Sequence, residues 1–432
     1  MRVEHYRRCA DIAVSVGLAI ALCAPPARAI DLQAANWKFS IEGNVNAEYI
    51  YSSCETSPSV VAGGLACVAA PGATGSSSSV SNGLLPAALT FNGSTTQKGI
   101  DIGFTFGLYP GISTNDGGSP NLQAADNPGY GHTALGTAGL DVRQVFLTFG
   151  NDRMGTVMAG RNIGLFGADA ILNDMTLIGV GAGNGDYAAP ANTSLGSIGL
   201  GYIYTDWLAQ INYTTPSLGG AKVTFGIFDP LNTLGQAPAN KDTPGVHAKV
   251  SYQSGGLYLS TSGLYQRQRN TLCTPAEAGA GACPSAPAGN YSSWAFDAGG
   301  KLDVSGFALM GWYYYGRGVG TTGLFVLSND ALGNPRPSQG FIAQVTYTIG
   351  SAKLGVNYGQ SRLGRTSEEL APIVVLATST LVEKNDKWTG GVYYGLTDNL
   401  TLVAELSRLE SVNQAGESNT SANFNVGAFL KF

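Results

Sequence analysis

Between Trp37 and Tyr51 the odd positions are Trp37, Phe39, Ile41, Gly43, Val45, Ala47, Tyr49 and Tyr51, and the even ones to 48 are Lys38, Ser40, Glu42, Asn44, Asn46 and Glu48. A period of two held over such a length puts every apolar side chain on one face of a strand and every polar one on the other. A tilted strand crosses a bilayer in about 9 to 11 residues, so this stretch is long enough to span one. The pattern calls for lipid on one side and water on the other.

Composition agrees. Only 12% of the 432 residues are charged, 60 are Gly and 20 are Tyr, and mean hydropathy is +0.05. That balance is too uncharged for an ordinary soluble protein and too polar for a bundle of membrane helices, but it fits strands with one lipid face and one wet face. After residue 29 no run of 18 apolar residues occurs, so no transmembrane helix is expected.

Arg2, Arg7 and Arg8 precede the apolar run Ile12 to Ala24, and Ala27-Arg28-Ala29 offers a small-x-small cleavage signal, which predicts a secretory signal peptide over 1–29. Cys23 does not read as a lipoprotein anchor, because bulky Leu22 precedes it and a better cleavage site follows. Residues 1–29 hold four Arg, Glu4 and Asp11, a net of +2, so their removal takes the formal charge from −5 to −7. This mild acidity gives no sign of nucleic-acid binding.

Four cysteines remain beyond residue 29, in two sequence-local pairs. Pairing Cys54 with Cys67 and Cys273 with Cys283 closes two short loops in an oxidising compartment, among three possible connectivities. There is no C-x-x-C, and His5, His132 and His247 are scattered, so no metal site and no cofactor is expected.

The rest of the chain repeats the strand signal in pairs. Leu84–Phe91 turns at Asn92-Gly93 into Ile100–Leu108, Leu140–Gly150 turns at Asn151–Met154 into Gly155–Arg161, and Trp207–Tyr213 turns at Pro216–Gly220 into Val223–Ile227. Val246–Tyr252 and Leu257–Leu264 flank Ser254-Gly255-Gly256, and Trp294–Phe296 leads through Lys301–Ser305 into Phe307–Tyr315. Phe341–Ile349 and Leu354–Tyr358 flank Gly350-Ser351, and Trp388–Tyr394 and Leu400–Leu406 flank Thr397–Asn399. A closing strand shows Phe424, Val426, Ala428, Leu430 and Phe432 on one face. The sum is an all-β transmembrane antiparallel barrel of about 16 strands in one domain, residues 30–432, with short periplasmic turns and long extracellular loops. Those loops fall at 52–83, 111–139, 162–200, 229–245, 267–290, 317–337, 362–386 and 410–420. Aromatics near strand ends, among them Trp37, Tyr49, Tyr51, Trp207, Tyr213, Trp294, Trp312, Tyr347, Tyr358 and Trp388, match interfacial girdles.

Arg143-Gln144-Val145-Phe146-Leu147-Thr148-Phe149-Gly150, then Gly155-Thr156-Val157 and Ala159-Gly160-Arg161, resemble the strand-turn-strand that precedes the constriction loop of the Gram-negative trimeric porin family. Tyr213 to Phe225 (YTTPSLGGAKVTF) resembles the next hairpin of that family, and NVGAFLKF its closing strand. The resemblance implies a homotrimer in the outer membrane of a Gram-negative bacterium, amid lipid and lipopolysaccharide, with loop 3 (about 162–200) folded inward to narrow each pore. It also implies that the aromatic Phe432 is read by the barrel assembly machinery. The two cysteine pairs and the long first, second and fifth loops depart from the family pattern.

Selectivity in a wide pore comes from charges facing each other at its narrowest level. By the same resemblance, loop 3 supplies Asp169, Asp174 and Asp186, and the wall beside it supplies Arg143 and Arg161. The competing reading has the aspartates capping local turns and the arginines paired elsewhere. Parity through 140–150 leaves the direction of Arg143 open. Alternation offers further lumen-lining charges at Lys38, Glu42, Asp101, Lys222, Lys249 and Glu405, and also at Lys301, Lys353 and Lys387, where a charge turned to lipid costs several kcal/mol near the midplane. Each of these serves equally well as a structural wall salt bridge.

The function that follows is passive diffusion of small hydrophilic solutes and ions through a water-filled channel. An enzyme is not expected, since His132 and His247 stand without a nucleophile motif. The alternative is a substrate-specific channel or surface-binding barrel, with Tyr314, Tyr393 or Phe429 as inward aromatics.

Overall fold

The computed structural model describes residues 30–57, 59–68, 75–112, 140–183, 193–231, 242–269, 290–330, 333–371 and 378–432. The signal-peptide stretch, His132, Asp186, Cys273 and Cys283 lie outside the described residues. The alternation that opens the chain falls in a 20-residue strand, Trp37–Thr56 (β2), whose even positions from Asn44 to Cys54 are buried and whose odd positions from Val45 to Tyr51 are exposed.

The sheet contains β1 (Ile30–Ala34), β2, β3 (Ser76–Ser81), β4 (Ala88–Gln97), β5 (Ile100–Pro110), β6 (Leu140–Asn151), β7 (Gly155–Ile163), β8 (Trp207–Thr214) and β9 (Ala221–Phe228). It continues through β10 (Gly245–Ser254), β11 (Leu257–Arg269), β12 (Asn290–Val304), β13 (Phe307–Arg317), β14 (Pro337–Ile349), β15 (Ala352–Leu363), β16 (Val382–Gly395), β17 (Leu400–Asn413) and β18 (Ser418–Lys431). Sixteen of these, β2 and β4 through β18, form a closed antiparallel barrel, because β18 pairs back onto β2 from Thr420↔Thr56 to Lys431↔Asn44. Closure leaves no free edge, which is what a sheet in lipid requires. The two extra strands both lie on β2: β1 pairs with its first residues, and β3 covers Glu48–Ser53 above the point where β4 takes over.

Turn chemistry sets the staves. The first full hairpin does not turn at Asn92-Gly93 as expected. β4 runs through both residues, and the turn falls at Lys98-Gly99, each at positive φ. Gly93 is needed inside the strand because a Cβ there would strike the ring of Phe104 across the ladder. The preceding apolar run, Leu84 to Ala87, is also no strand; it folds into the lumen and is buried. Between β12 and β13 the turn likewise shrinks to Ser305-Gly306, both at positive φ.

Outward faces carry the lipid-facing apolar residues, such as Val45, Phe106, Leu147, Ile211, Val250, Leu309, Val356 and Leu406, all exposed. Inside, loop 3 (residues 164–206) holds a short helix α1 (Ala168–Asn173) and a 3-10 turn (Met175–Ile178). Its Ala170, Ile171, Met175, Leu177, Ile178, Ile198 and Tyr202 pack on Met310, Trp312, Ile342, Tyr393, Val403 and Phe429, which β13, β14 and β16–β18 turn inward. Tyr393 and Phe429, and Tyr314 in the neighbouring cluster, thus belong to a core beneath loop 3 and form no exposed ladder.

Three more segments fold inward. Residues 82–87 run beside loop 3, with Leu84 N donating to Gly179 O at 2.7 Å and Leu85 N to Leu177 O at 3.0 Å. Residues 59–67 lie over β16 and β17, where Leu65 N and Ala66 N both donate to Ser411 Oγ. A disulfide joins Cys54 in β2 to Cys67 at the end of that segment, with 13 residues of separation, a closure that contributes about 2–3 kcal/mol by restricting the unfolded chain. Residues 318–336 meet loop 3 where Tyr204 N donates to Thr322 O, and they bury Val319, Leu324 and Phe325.

Candidate channel constriction

Loop 3 is held to the wall by polar side chains that alternation points inward from β10, β11, β12, β14, β15 and β17. On β10, Lys249 Nζ pairs with Asp169 of α1 at 3.1 Å, and on β11 Tyr258 donates to the same carboxylate at 2.9 Å. Asp297 of β12 accepts from Gly167 N at 2.7 Å. Gln344 of β14 accepts from Met175 N and donates to Asn173 O. On β15, Asn357 donates to Asp174 and Ser361 Oγ accepts from Gly201 N. A glycine at 359 lets the loop lie this close, since a Cβ there would run into the Leu200 carbonyl.

The tightest clasp is on β17. Glu405 is 2% exposed and accepts from Val180 N at 2.7 Å and Gly181 N at 2.8 Å through one oxygen, while Tyr393 donates to the other at 2.5 Å. Lys387 of β16 is fully buried nearby, in the electrostatic field of Asp174 and Glu405, and its Nζ has no hydrogen-bond partner among the described residues. Glu405 was expected to line open lumen; instead it is turned onto the loop that fills it. The reason is that its two oxygens satisfy backbone amides that a buried loop cannot leave bare.

Asp174 follows the competing reading. It caps the 3-10 turn by accepting from Thr176 N at 3.0 Å through Oδ1, which also accepts from Asn357 of β15 at 3.1 Å, while Tyr202 Oη donates to Oδ2 at 2.8 Å, so it faces the wall and not the passage. Burial and the adjacent Asp174 carboxylate hold the Tyr202 phenol well above its usual range. Asp206, which ends the loop and accepts from Trp207 N at 2.7 Å, has its carboxyl pushed up to about 6 by burial.

Arg143 does point inward, by way of a bulge. Gly107 pairs with Gln144 and Leu108 with Val142, so Arg143 is left between them and shares the inner face with Gln144. Its Nε donates to Asp141 at 2.9 Å, and its guanidinium lies 5.1 Å from the Tyr109 ring and 5.7 Å from the Trp207 ring. It is buried in the wall as a paired, stacked cation.

Arg161 points the other way and is not in the lumen. On β7 the inner face is Thr156, Met158, Gly160 and Asn162, as shown by the bond from Gln144 to Asn162. Arg161 shares the outer face with Val157 and Ala159, opposite Val145 and Ala209, and its Nε donates to Val142 O at 3.0 Å. A pore-facing role for it is corrected by this register.

The other lumen candidates face inward near the short turns: Lys38 and Glu42 on β2, Asp101 on β5 and Lys222 on β9 are all exposed. Glu42 accepts from Ser40 and Asn92, and Asp101 from Thr96. Lys301 pairs with Asp303 at 3.1 Å, and Lys353 lies 4.4 Å from the Tyr393 ring centroid. Asp297, Gln344 and Asn357 were not anticipated, although the outward Phe296, Val345 and Val356 beside them fix their inward direction by alternation.

A sequence profile described as Gram-negative porin matches residues 15–414. No curated protein matches. Among solved structures, the outer membrane channel DcaP of Acinetobacter baumannii is similar at 13% identity and a TM-score of 0.63, over 93% of this chain and 99% of that one. Salmonella typhi OmpF in complex with daunomycin is similar at 12% identity and 0.55, over 93% and 100%. In-vitro folded OmpT of Vibrio cholerae, in its trimer form, is similar at 13% identity and 0.53, over 92% and 100%.

Proposed function

Since this chain belongs to the Gram-negative porin family, we propose that loop 3 sets the size limit of its channel and that the constriction is close to charge-neutral. The protein is an outer-membrane channel for passive diffusion of small hydrophilic solutes, and no enzyme. The observation that carries the proposal is that the carboxylates at and beside the contact of loop 3 with the wall all have local partners. Asp169 is paired with Lys249, Asp141 with Arg143, and Asp174 and Glu405 are turned onto local donors. Opposed free charges set up a transverse field; paired ones largely cancel at a distance.

Reversal potential across a planar bilayer under a salt gradient tests this. The parent is expected near zero, Lys249→Ala is expected to shift toward cations by leaving Asp169 unpaired, and Arg161→Ala is expected to match the parent. Strong selectivity in the parent, or a shift on removing Arg161, defeats the neutral constriction.

A homotrimer is part of the same proposal. It is supported by an outward surface from β18 through β2, β4 and β5 to β6 that is apolar along its middle, with Phe424, Val426, Val45, Phe91, Phe106 and Leu147 exposed. Apolar, self-complementary surfaces suit closed symmetric assemblies. Unheated protein is expected to migrate at three times the monomer mass and to drop to one on boiling; monomer in both lanes rules it out. Cleavage after Ala29 and recognition of Phe432 by the assembly machinery are proposed on the same family footing, the ring of Phe432 standing exposed beside Gly43.

A further inference from the structure

Residues 59–67 (SVVAGGLAC) form an uncharged strap inside the long-loop rim. The wall holds its backbone. Asn419 donates to Ser59 O at 2.9 Å, Asn413 to Val60 O at 3.2 Å and Asn385 to Gly63 O at 3.1 Å. Leu65 N donates in turn to Asn385 at 3.1 Å and to Ser411 at 2.8 Å. Ala62 adds two backbone bonds, from its N to Thr380 O at 2.7 Å and to its O from Val382 N at 2.9 Å.

The strap covers the far arm of loop 3, residues 179–183 and 193–202. Leu65 and Ala66 pack on Ala182, Leu195 and Leu200 of that arm and on Leu409 of β17. A Cβ at Gly199 would come within 2.7 Å of the Leu65 side chain, so the two run in close contact. Glu405 holds the same arm from the wall through Val180 N and Gly181 N. Below, β2 reaches it where Ile50 and Ser52 lie against Gly183.

The strap ends at the Cys54–Cys67 disulfide, which returns it to β2. The barrel does not depend on that bond. β2 is already fixed by β18 from Asn44 to Thr56 and by β3 from Glu48 to Ser53. The strap does depend on it. Its hydrogen bonds each replace one to water and are worth little net, and against them stands the ordering of nine residues. A balance this close is tipped by one covalent closure. The bridge sits at the rim beside exposed Glu55 and Thr56, with both cysteines buried, so a reagent reaches the sulfurs when the strap lifts.

We infer that the Cys54–Cys67 pair is a thiol-exchange site, with a low-molecular-weight thiol as its reactant, and that its oxidation state sets whether residues 59–67 strap the far arm of loop 3. A thiolate attacks one sulfur of the pair, the S–S bond breaks, and the other sulfur leaves as a thiolate that takes a proton from water. A second thiol attacks the mixed disulfide and releases the remaining cysteine. Two electrons pass to the pair, two cysteine thiols form, and the reagent departs as its own disulfide. Exchange with a disulfide of the same class runs the step backwards. The inference rests on loop 3 as the element that limits solute size, and it adds a condition under which that limit moves.

The test compares refolded oxidised protein before and after dithiothreitol, with free thiols titrated, by peptide-resolved deuterium uptake and by planar-bilayer conductance with liposome swelling. Reduction is expected to speed uptake at 59–67 and 193–202 by about tenfold or more, to enlarge the conductance step and to raise the sugar size limit. Oxidised glutathione is expected to restore the starting values. Cys54→Ser/Cys67→Ser is expected to behave as reduced protein with or without reagent, and Cys273→Ser/Cys283→Ser to respond as the parent does. A Cys54–Cys67 pair that stays oxidised in dithiothreitol, uptake that does not change on reduction, or faster uptake at 59–67 with none at 193–202 overturns the inference. A response lost in Cys273→Ser/Cys283→Ser overturns it too. Faster uptake in both segments with an unchanged size limit upholds the strap and counts against loop 3 as the limiting element.

Discussion

Glu405→Ala is expected to free loop 3 from the barrel wall, raise single-channel conductance and admit sugars that the parent excludes. The carboxylate is the sole described acceptor for the amides of Val180 and Gly181 and for the hydroxyl of Tyr393. Truncation leaves two buried N–H groups bare, each costing about 1–3 kcal/mol, and removes an anion from beside the buried Lys387. Breaking such a buried arrangement on one side costs about 3–5 kcal/mol. A loop of this length cannot absorb that and stay seated. Glu405→Gln keeps one acceptor oxygen and is expected to fall between the two. Liposome swelling with sugars of increasing size, read beside planar-bilayer conductance, decides it; an unchanged exclusion limit in Glu405→Ala means that loop 3 is held by its apolar face alone.

Arg336→Ala is expected to give the largest loss of stability outside loop 3. The guanidinium of Arg336, in the segment that leads into β14, donates through Nε to both oxygens of Glu369 at 3.1 and 3.0 Å and through Nη2 at 2.5 Å, and through Nη1 to Leu327 O at 2.8 Å. Both partners are buried, and Glu369 also accepts from Thr366 N at 3.0 Å. The pair ties the infolded residues 318–336 to the loop after β15. Removing the cation strands a buried carboxylate, a loss of about 3–5 kcal/mol. The double variant Arg336→Met/Glu369→Met is expected to recover most of it, because a well-packed apolar pair of similar volume replaces a buried ion pair at little net cost. Denaturant unfolding of the parent and the variants reads both numbers. A single variant no less stable than the double contradicts the ion-pair account.

The barrel is legible in the sequence because the bilayer imposes one period on every stave. Trp37 to Tyr51 and Phe424 to Phe432 state that period outright, and the terminal strands pair as the matching faces require. What fills the barrel is not legible. Leu84 and Leu85 read as a strand because they are apolar, but they are apolar to pack on Leu177 and Ile178 inside the lumen. The inward direction of Arg143 is hidden by a bulge whose cause lies on the partner strand at Gly107 and Leu108, out of reach of any periodicity within β6. Arg161 is a different matter. Val157 and Ala159 already fix it on the outer face, and only the family resemblance draws it into the pore. The partners of Glu405 and Asp297 are loop amides more than 100 residues away, so their roles need the fold.

The seam between β2 and β18 has a consequence for how the chain is made. Val45 pairs with Leu430 and Gly43 exchanges two backbone bonds with Phe432, nearly the whole barrel sequence apart. Contacts of such separation are slow to form, since a long loop must close before they stabilise anything. Until β18 arrives, β2 presents a bare hydrogen-bonding edge from Asn44 to Thr56, an open template for other chains. No smaller part of the molecule is closed, so the barrel has no early resting place. Synthesis and export must finish while the chain is kept apart from its own kind, and folding then happens once, as a whole.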